Sequence, residues 1–137
     1  MASTLTIEEI RLEPVKQSGL NDLLNQLDLL IEAEDYDDDF QPPAKYAADK
    51  MHGFLEDVND LLQIAFPLGT IYADGDGGLR LEWIRPDREL RLVISASLQG
   101  RTYFYHEQGD DYGADYAPTA GELSRWLNWL DSAVKVS

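Results

Sequence analysis

Residues 70–106 read TIYADGDGGLRLEWIRPDRELRLVISASLQGRTYFYH, and the fold is decided by this stretch. Apolar residues recur in it at every second position, the period of a strand with one dry and one wet face. Thr70 to Ala73 reads as a short strand. The Asp74-Gly75-Asp76-Gly77-Gly78 run is turn chemistry, because glycine adopts the positive φ of tight hairpins without steric cost. Leu79, Leu81 and Trp83 then alternate with Arg80 and Glu82. Arg85-Pro86-Asp87-Arg88 turns the chain back, and Leu90, Leu92 and Ile94 alternate with Glu89, Arg91 and Val93. After Gln99-Gly100 comes Thr102-Tyr103-Phe104-Tyr105-His106, a third long strand. Gly109 to Gly113 is another polar turn, and Tyr112 to Ala117 is a candidate edge strand. The pattern predicts an antiparallel meander of four to five strands, with Leu79, Leu81 and Trp83 beneath a helical layer.

Outside this stretch the apolar period lengthens. Leu20, Leu23, Leu24, Leu27, Leu30 and Ile31 form one helical stripe within a helix expected from about Ser18 to Ala33. Ala47, Met51, Phe54, Leu55, Val58, Leu62 and Ala65 do the same over about Pro43 to Ala65, where the prolines suit a helix start. Beyond the strands, Thr119 and Glu122 spell a capping box for a last helix carrying Leu123, Trp126, Leu127, Leu130 and Val134. Trp129 lies beside that stripe and would widen its buried face. Helices segregated from a meander predict a single α+β domain over residues 1–137, with the helices on one sheet face. Residues 1–17 stay open between two readings. Thr6 and Glu9 fit a capping box, whereas Leu5/Ile7 and Ile10/Leu12 alternate like strand residues, and Pro14 ends either.

The 137 residues, 44% of them hydrophobic, suffice for a core without crosslinks. Cysteine is absent, which removes disulfides, thiolate catalysis and Cys-based metal sites from consideration. The first residues lack a basic region followed by an apolar run, and no apolar stretch approaches the roughly 20 residues of a membrane span. A cytoplasmic protein is expected. The net charge of −15 repels phosphate backbones and anionic lipid, so neither nucleic acid nor membrane is expected as a partner. A basic protein is the natural complement.

Several chemical motifs fail position by position. Counting an EF-hand loop from Asp74 puts Gly78, Leu79 and Arg85 at positions five, six and twelve, where an acid or amide, a glycine and a glutamate are needed. Counting from Asp35 puts Phe40 and Tyr46 at positions six and twelve. Gly77-Gly78 is followed by Leu79, not by the lysine of a phosphate loop. His106-Glu107 lacks a second histidine four residues on, and His52 falls on the wet flank of its helix. No serine sits in a nucleophile elbow. No catalytic, cofactor or metal site is therefore predicted. Arg80, Glu82, Glu89 and Arg91 read as cross-strand ion pairs, and of Tyr103, Phe104 and Tyr105 alternation sends two rings to one face and one to the other.

The quoted DGDGGLRLEW, RELRLVI and TYFYHE segments resemble a group of short bacterial proteins of unassigned function, in which a glycine-rich hairpin leads to a Glu-Trp strand end and a later strand carries paired tyrosines. The likeness covers about a quarter of the chain, with WLNWL at 126–130 as a weaker match. It implies a helix-plus-meander fold and a bacterial source, and it carries no role onto any residue.

The one feature that asks for a partner is the connection between the first two helices. Glu32, Glu34, Asp35, Asp37, Asp38 and Asp39 put six acids within eight residues, around Tyr36 and ahead of Phe40. Such a run is commonly a solvated loop, yet opposite charge steers association and aromatic anchors strengthen interfaces. With Leu29 on the polar side of its helix, these nine residues are the predicted partner-binding set for a non-enzymatic acidic module, an inhibitor or antitoxin-like partner holding a basic protein. The competing readings are a small carboxylate/histidine enzyme and a homo-oligomeric accessory protein.

Overall fold

In the computed structural model the described residues are 19–34 and 36–132. Both readings of residues 1–17, together with Asp35 and Val134, lie outside them. Helix α1 covers residues 19–32, and α2 spans Lys45–Leu61. Strands β1 (Thr70–Ala73), β2 (Leu79–Ile84), β3 (Arg88–Ile94), β4 (Tyr103–Gln108) and β5 (Asp111–Tyr116) follow, and α3 (Ala120–Leu130) closes the order. The strands form one antiparallel sheet in sequence order, β1-β2-β3-β4-β5, so the fold is α+β.

Register follows from alternation. Leu81 stands opposite Leu92, and Leu92 opposite Phe104, so the apolar residues of three strands share a face. On that face Leu79, Leu81, Trp83, Leu90, Leu92, Ile94 and Phe104 join Leu23 and Leu27 of α1, Met51, Leu55 and Val58 of α2, and Leu123, Leu127 and Leu130 of α3 in one core cluster. The indole N–H of Trp83 donates to the Pro67 carbonyl at 3.2 Å, so its polar atom is satisfied inside the core. Thr119 and Glu122 form the capping box that their spacing predicts.

The helices depart from their predicted extents in physically specific ways. Helix α2 starts at Lys45, after both prolines: Ala44 is extended (φ −70°, ψ 151°), and its N–H donates to the Gly77 carbonyl instead of entering the helix. It ends at Leu61, because Leu62 turns extended and carries Phe66 and Pro67 back into the core. Ala65, assigned to the buried stripe, is consequently exposed, as is Ile31 at the end of α1. Helix α1 packs hard on this return segment. A Cβ on Gly19 would sit 1.9 Å from the Phe66 carbonyl oxygen, so only glycine fits there.

Two polar side chains tie the layers together. Gln26 of α1 meets the outer edge of β1 with both ends of its amide: Nε2 donates to the Gly69 carbonyl at 3.0 Å and Oε1 accepts from the Ile71 N–H at 2.9 Å. The amide thus takes the place of a neighbouring strand. Arg88, expected in a turn, instead opens β3 and is only 3% exposed. Its Nη1 donates to the carbonyls of Trp129 and Leu130, and its guanidinium lies 4.3 Å from the Trp129 ring centre. A cation there complements the carbonyl-rich end of α3. Trp129 stacks edge-on against Trp126 and covers this arginine, which accounts for its place beside the stripe.

Truncation should separate the two kinds of leucine. Leu81→Ala should destabilise the protein by about 2–5 kcal/mol in urea unfolding, whereas Leu29→Ala, at a side chain 69% exposed, should stay within about 0.5 kcal/mol.

Candidate functional site: an acidic pole

The connection between α1 and α2 does not hang loose from the fold. Phe40 N–H donates to the Asp37 carbonyl at 2.9 Å, closing a turn that contains Asp38 and Asp39. Tyr36 and Phe40 stack with ring centres 5.0 Å apart and planes 8° from parallel. The Tyr36 hydroxyl donates to the Leu30 carbonyl at 2.7 Å, near the end of α1. Both rings are half-buried, so the two aromatics predicted as partner anchors also shape the loop that carries them.

This loop is fastened to the β1–β2 turn, a segment more than thirty residues away in sequence. Gln41 N–H donates to the Gly75 carbonyl and Ala44 N–H to the Gly77 carbonyl, each at 2.8 Å, and Gln41 pairs with Asp76 in a parallel bridge. The Phe40 ring packs against Gly75, where an added Cβ would meet it at 3.0 Å. Gly75 and Gly77 both have positive φ, 88° and 91°, as the turn chemistry requires. Asp74 organises the turn by accepting from the N–H groups of Asp76 (2.8 Å) and Gly78 (2.9 Å) with one carboxylate oxygen. The fold therefore brings together two acidic segments that sequence reading treats separately. Glu32, Glu34, Asp37, Asp38 and Asp39 are exposed beside a turn bearing exposed Asp74 and Asp76. Leu29 is exposed two helical positions ahead of Ile31 on α1.

Among the described residues, no three His, Asp or Glu side chains converge as metal ligands. His52 faces only Glu56, at 3.5 Å on the exposed flank of α2. His106 stacks on Trp126 with ring centres 4.0 Å apart, and its ring packs over Gly113 of β5. Surface clefts of about 200 Å³, at Leu68, Tyr72 and Ile84, and about 350 Å³, at Arg85, Asp87 and Glu107, contain no histidine beside a hydroxyl.

The other sheet face carries the charged quartet. Glu82 lies 2.8 Å from Arg80 Nε and 3.2 Å from Arg91 Nε, and Arg91 also pairs with Glu89. The expected cross-strand pair is thus Glu82–Arg91, directly opposed in the register. Arginines also lie over tyrosines on this side, Arg80 over Tyr72 at 5.1 Å and Arg91 over Tyr105 at 5.5 Å. The Tyr105 hydroxyl donates to Glu107 at 2.6 Å, and that bond, with partial burial and the carboxylates of Glu107 and Glu89, pushes its pKa up to about 12 against the opposing pull of Arg91.

No family model matches this chain, and no curated protein or solved structure shows significant similarity to it.

Two measurements follow from this geometry. Gly75→Ala should destabilise the protein by about 1–3 kcal/mol and accelerate hydrogen exchange at the Gln41 amide, because the methyl group meets both positive φ and the Phe40 ring. Gly109→Ala, with positive φ but nothing within 4 Å, should leave that amide protected. Phenolate absorbance should show one tyrosine ionising near pH 12. A raised native pKa means the stabilising contribution is complete below pH 10.0, the ordinary value, and is lost as pH rises towards about 12. Glu107→Gln should return that titration towards the ordinary value.

Proposed function

We propose that this protein is a non-enzymatic binding module whose acidic pole engages a basic protein partner, in the manner of an inhibitor or antidote. The observation that carries the reading is the joining of the α1–α2 loop to the β1–β2 turn. Backbone hydrogen bonds from Gln41 and Ala44, with Phe40 seated on Gly75, hold like charges in one place although they repel one another. Holding acids together on a fixed frame gives up some stability and concentrates the field that draws in a cation-rich surface. A merely solvated loop has no need of such anchoring. The single core cluster supports a helical layer on one sheet face, which leaves the pole and the opposite face for contacts. In a bacterial cytoplasm, where the likeness to short bacterial proteins would place it, small basic proteins are available partners.

The test uses a basic partner captured from the source cells, identified and purified. The triple variant Asp37→Asn, Asp38→Asn, Asp39→Asn should keep the fold by circular dichroism. It should lower the association rate at low salt by about tenfold and flatten its dependence on ionic strength. Equal association rates for the variant and the parent protein at low salt would remove this pole from recognition.

A further inference from the structure

The sheet has two edges, and they are not equivalent. At β1 the Gln26 amide engages the Gly69 carbonyl and the Ile71 N–H on the outer side. At β5 no described residue pairs with the outer side. The ladder between β4 and β5 runs through six opposed pairs, from Tyr103↔Tyr116 to Gln108↔Asp111, with no bulge to twist the edge away.

One hydrogen bond fixes which backbone groups of β5 face outward. Ala117 N–H donates to the Thr102 carbonyl at 3.0 Å, so these opposed residues form a hydrogen-bonded pair. Hydrogen-bonded and non-hydrogen-bonded pairs alternate along an antiparallel ladder. Asp115, Gly113 and Asp111 therefore bond inward to β4, while the N–H and C=O groups of Tyr112, Ala114 and Tyr116 point away from the sheet. The side chains of these three outward residues carry no charge. Tyr112 and Tyr116 are 74% and 61% exposed, unusual for tyrosines within a regular strand.

We infer that β5 is a self-pairing edge through which two copies of this chain form an antiparallel dimer with a continuous ten-stranded sheet. The sequence of the strand selects the register. With the two-fold axis at Ala114, its outward groups meet those of the partner's Ala114, and Tyr112 stands opposite the partner's Tyr116 in both halves. On the other face Gly113 opposes the partner's Asp115, and Asp111 opposes the partner's Ala117. No two acids are directly opposed, a condition that matters in a chain of net charge −15. Arg101 supplies the complementary charge. Its guanidinium already lies over the Tyr116 ring at 5.2 Å, at the end of the edge where the partner's Asp110 and Asp111 arrive. A second copy is favoured over an unrelated strand because this register matches the edge to itself at every outward position. Specific interfaces bury on the order of 1,200 Å² or more, beyond what a short ladder supplies, so the tyrosines and Arg101 must carry the remainder. A dimer that dissociates on dilution is expected. The acidic pole, at the β1–β2 turn, is left outside this contact.

The test is the mass of the full chain by light scattering and sedimentation across a dilution series. The parent protein should approach twice 15.5 kDa at high concentration. Ala114→Pro removes an outward N–H that β4 does not use, and should give a folded monomer. Should that variant misfold, side-chain variants at the exposed positions decide. Tyr112→Glu with Tyr116→Glu opposes like charges in both halves and should abolish the dimer. Tyr112→Glu with Tyr116→Lys opposes unlike charges and should retain it. A parent protein that is monomeric throughout overturns the proposal. So does a dimer indifferent to all three variants, or an edge already protected from hydrogen exchange at Ala114 in the monomer, which would mean that another segment of the same chain occupies it.

Discussion

A slip of one residue that flipped β2 against β3 would turn Leu79, Leu81 and Trp83 towards water and carry Arg80 and Glu82 into the core. Every other contact in the protein presupposes that this does not happen. The penalty acts on both sides at once, since apolar surface loses its cover while unpaired charge loses its water. The ion pairs of Glu82 with Arg80 and Arg91 follow from the correct register more than they enforce it, because partly exposed pairs contribute little. The residues of the dry face share one core cluster with leucines of all three helices.

Much of this was legible in advance because it is local. The meander showed in the alternation of residues 79–94, the closing helix in Thr119 and Glu122, and the split of Tyr103, Phe104 and Tyr105 between faces in their adjacency: Phe104 is buried, and both tyrosines lie opposite. What escaped was non-local. Nothing in the order of residues says that Ala44 donates to Gly77, so the sequence points to the prolines as the start of α2. Nothing says that Gln26 reaches β1, or that Arg88 lies beneath Trp129, because a buried cation has the same sequence signature as a turn cation.

The candidate site divides along the same line. The acidic run and its aromatics were visible as composition. Their attachment to the Asp74–Gly78 turn depends on Phe40 finding a residue without a side chain at Gly75, a coincidence of two distant positions. The glycine had been explained fully by hairpin chemistry, which concealed its second role as a seat for the ring. A residue that satisfies one rule completely can still be serving another.

The sealing of β1 by Gln26 has a bearing on how these molecules behave in a crowded cell. A sheet with two open edges can take a neighbour on each side, and each neighbour then offers a fresh edge, which is the geometry of a fibre. A sheet whose β1 edge is engaged by its own glutamine leaves β5 as the more open side. In a pair joined through β5, both outer edges are β1, and each meets its own Gln26. One amide side chain on α1 thus works against polymer growth by taking up backbone groups at β1.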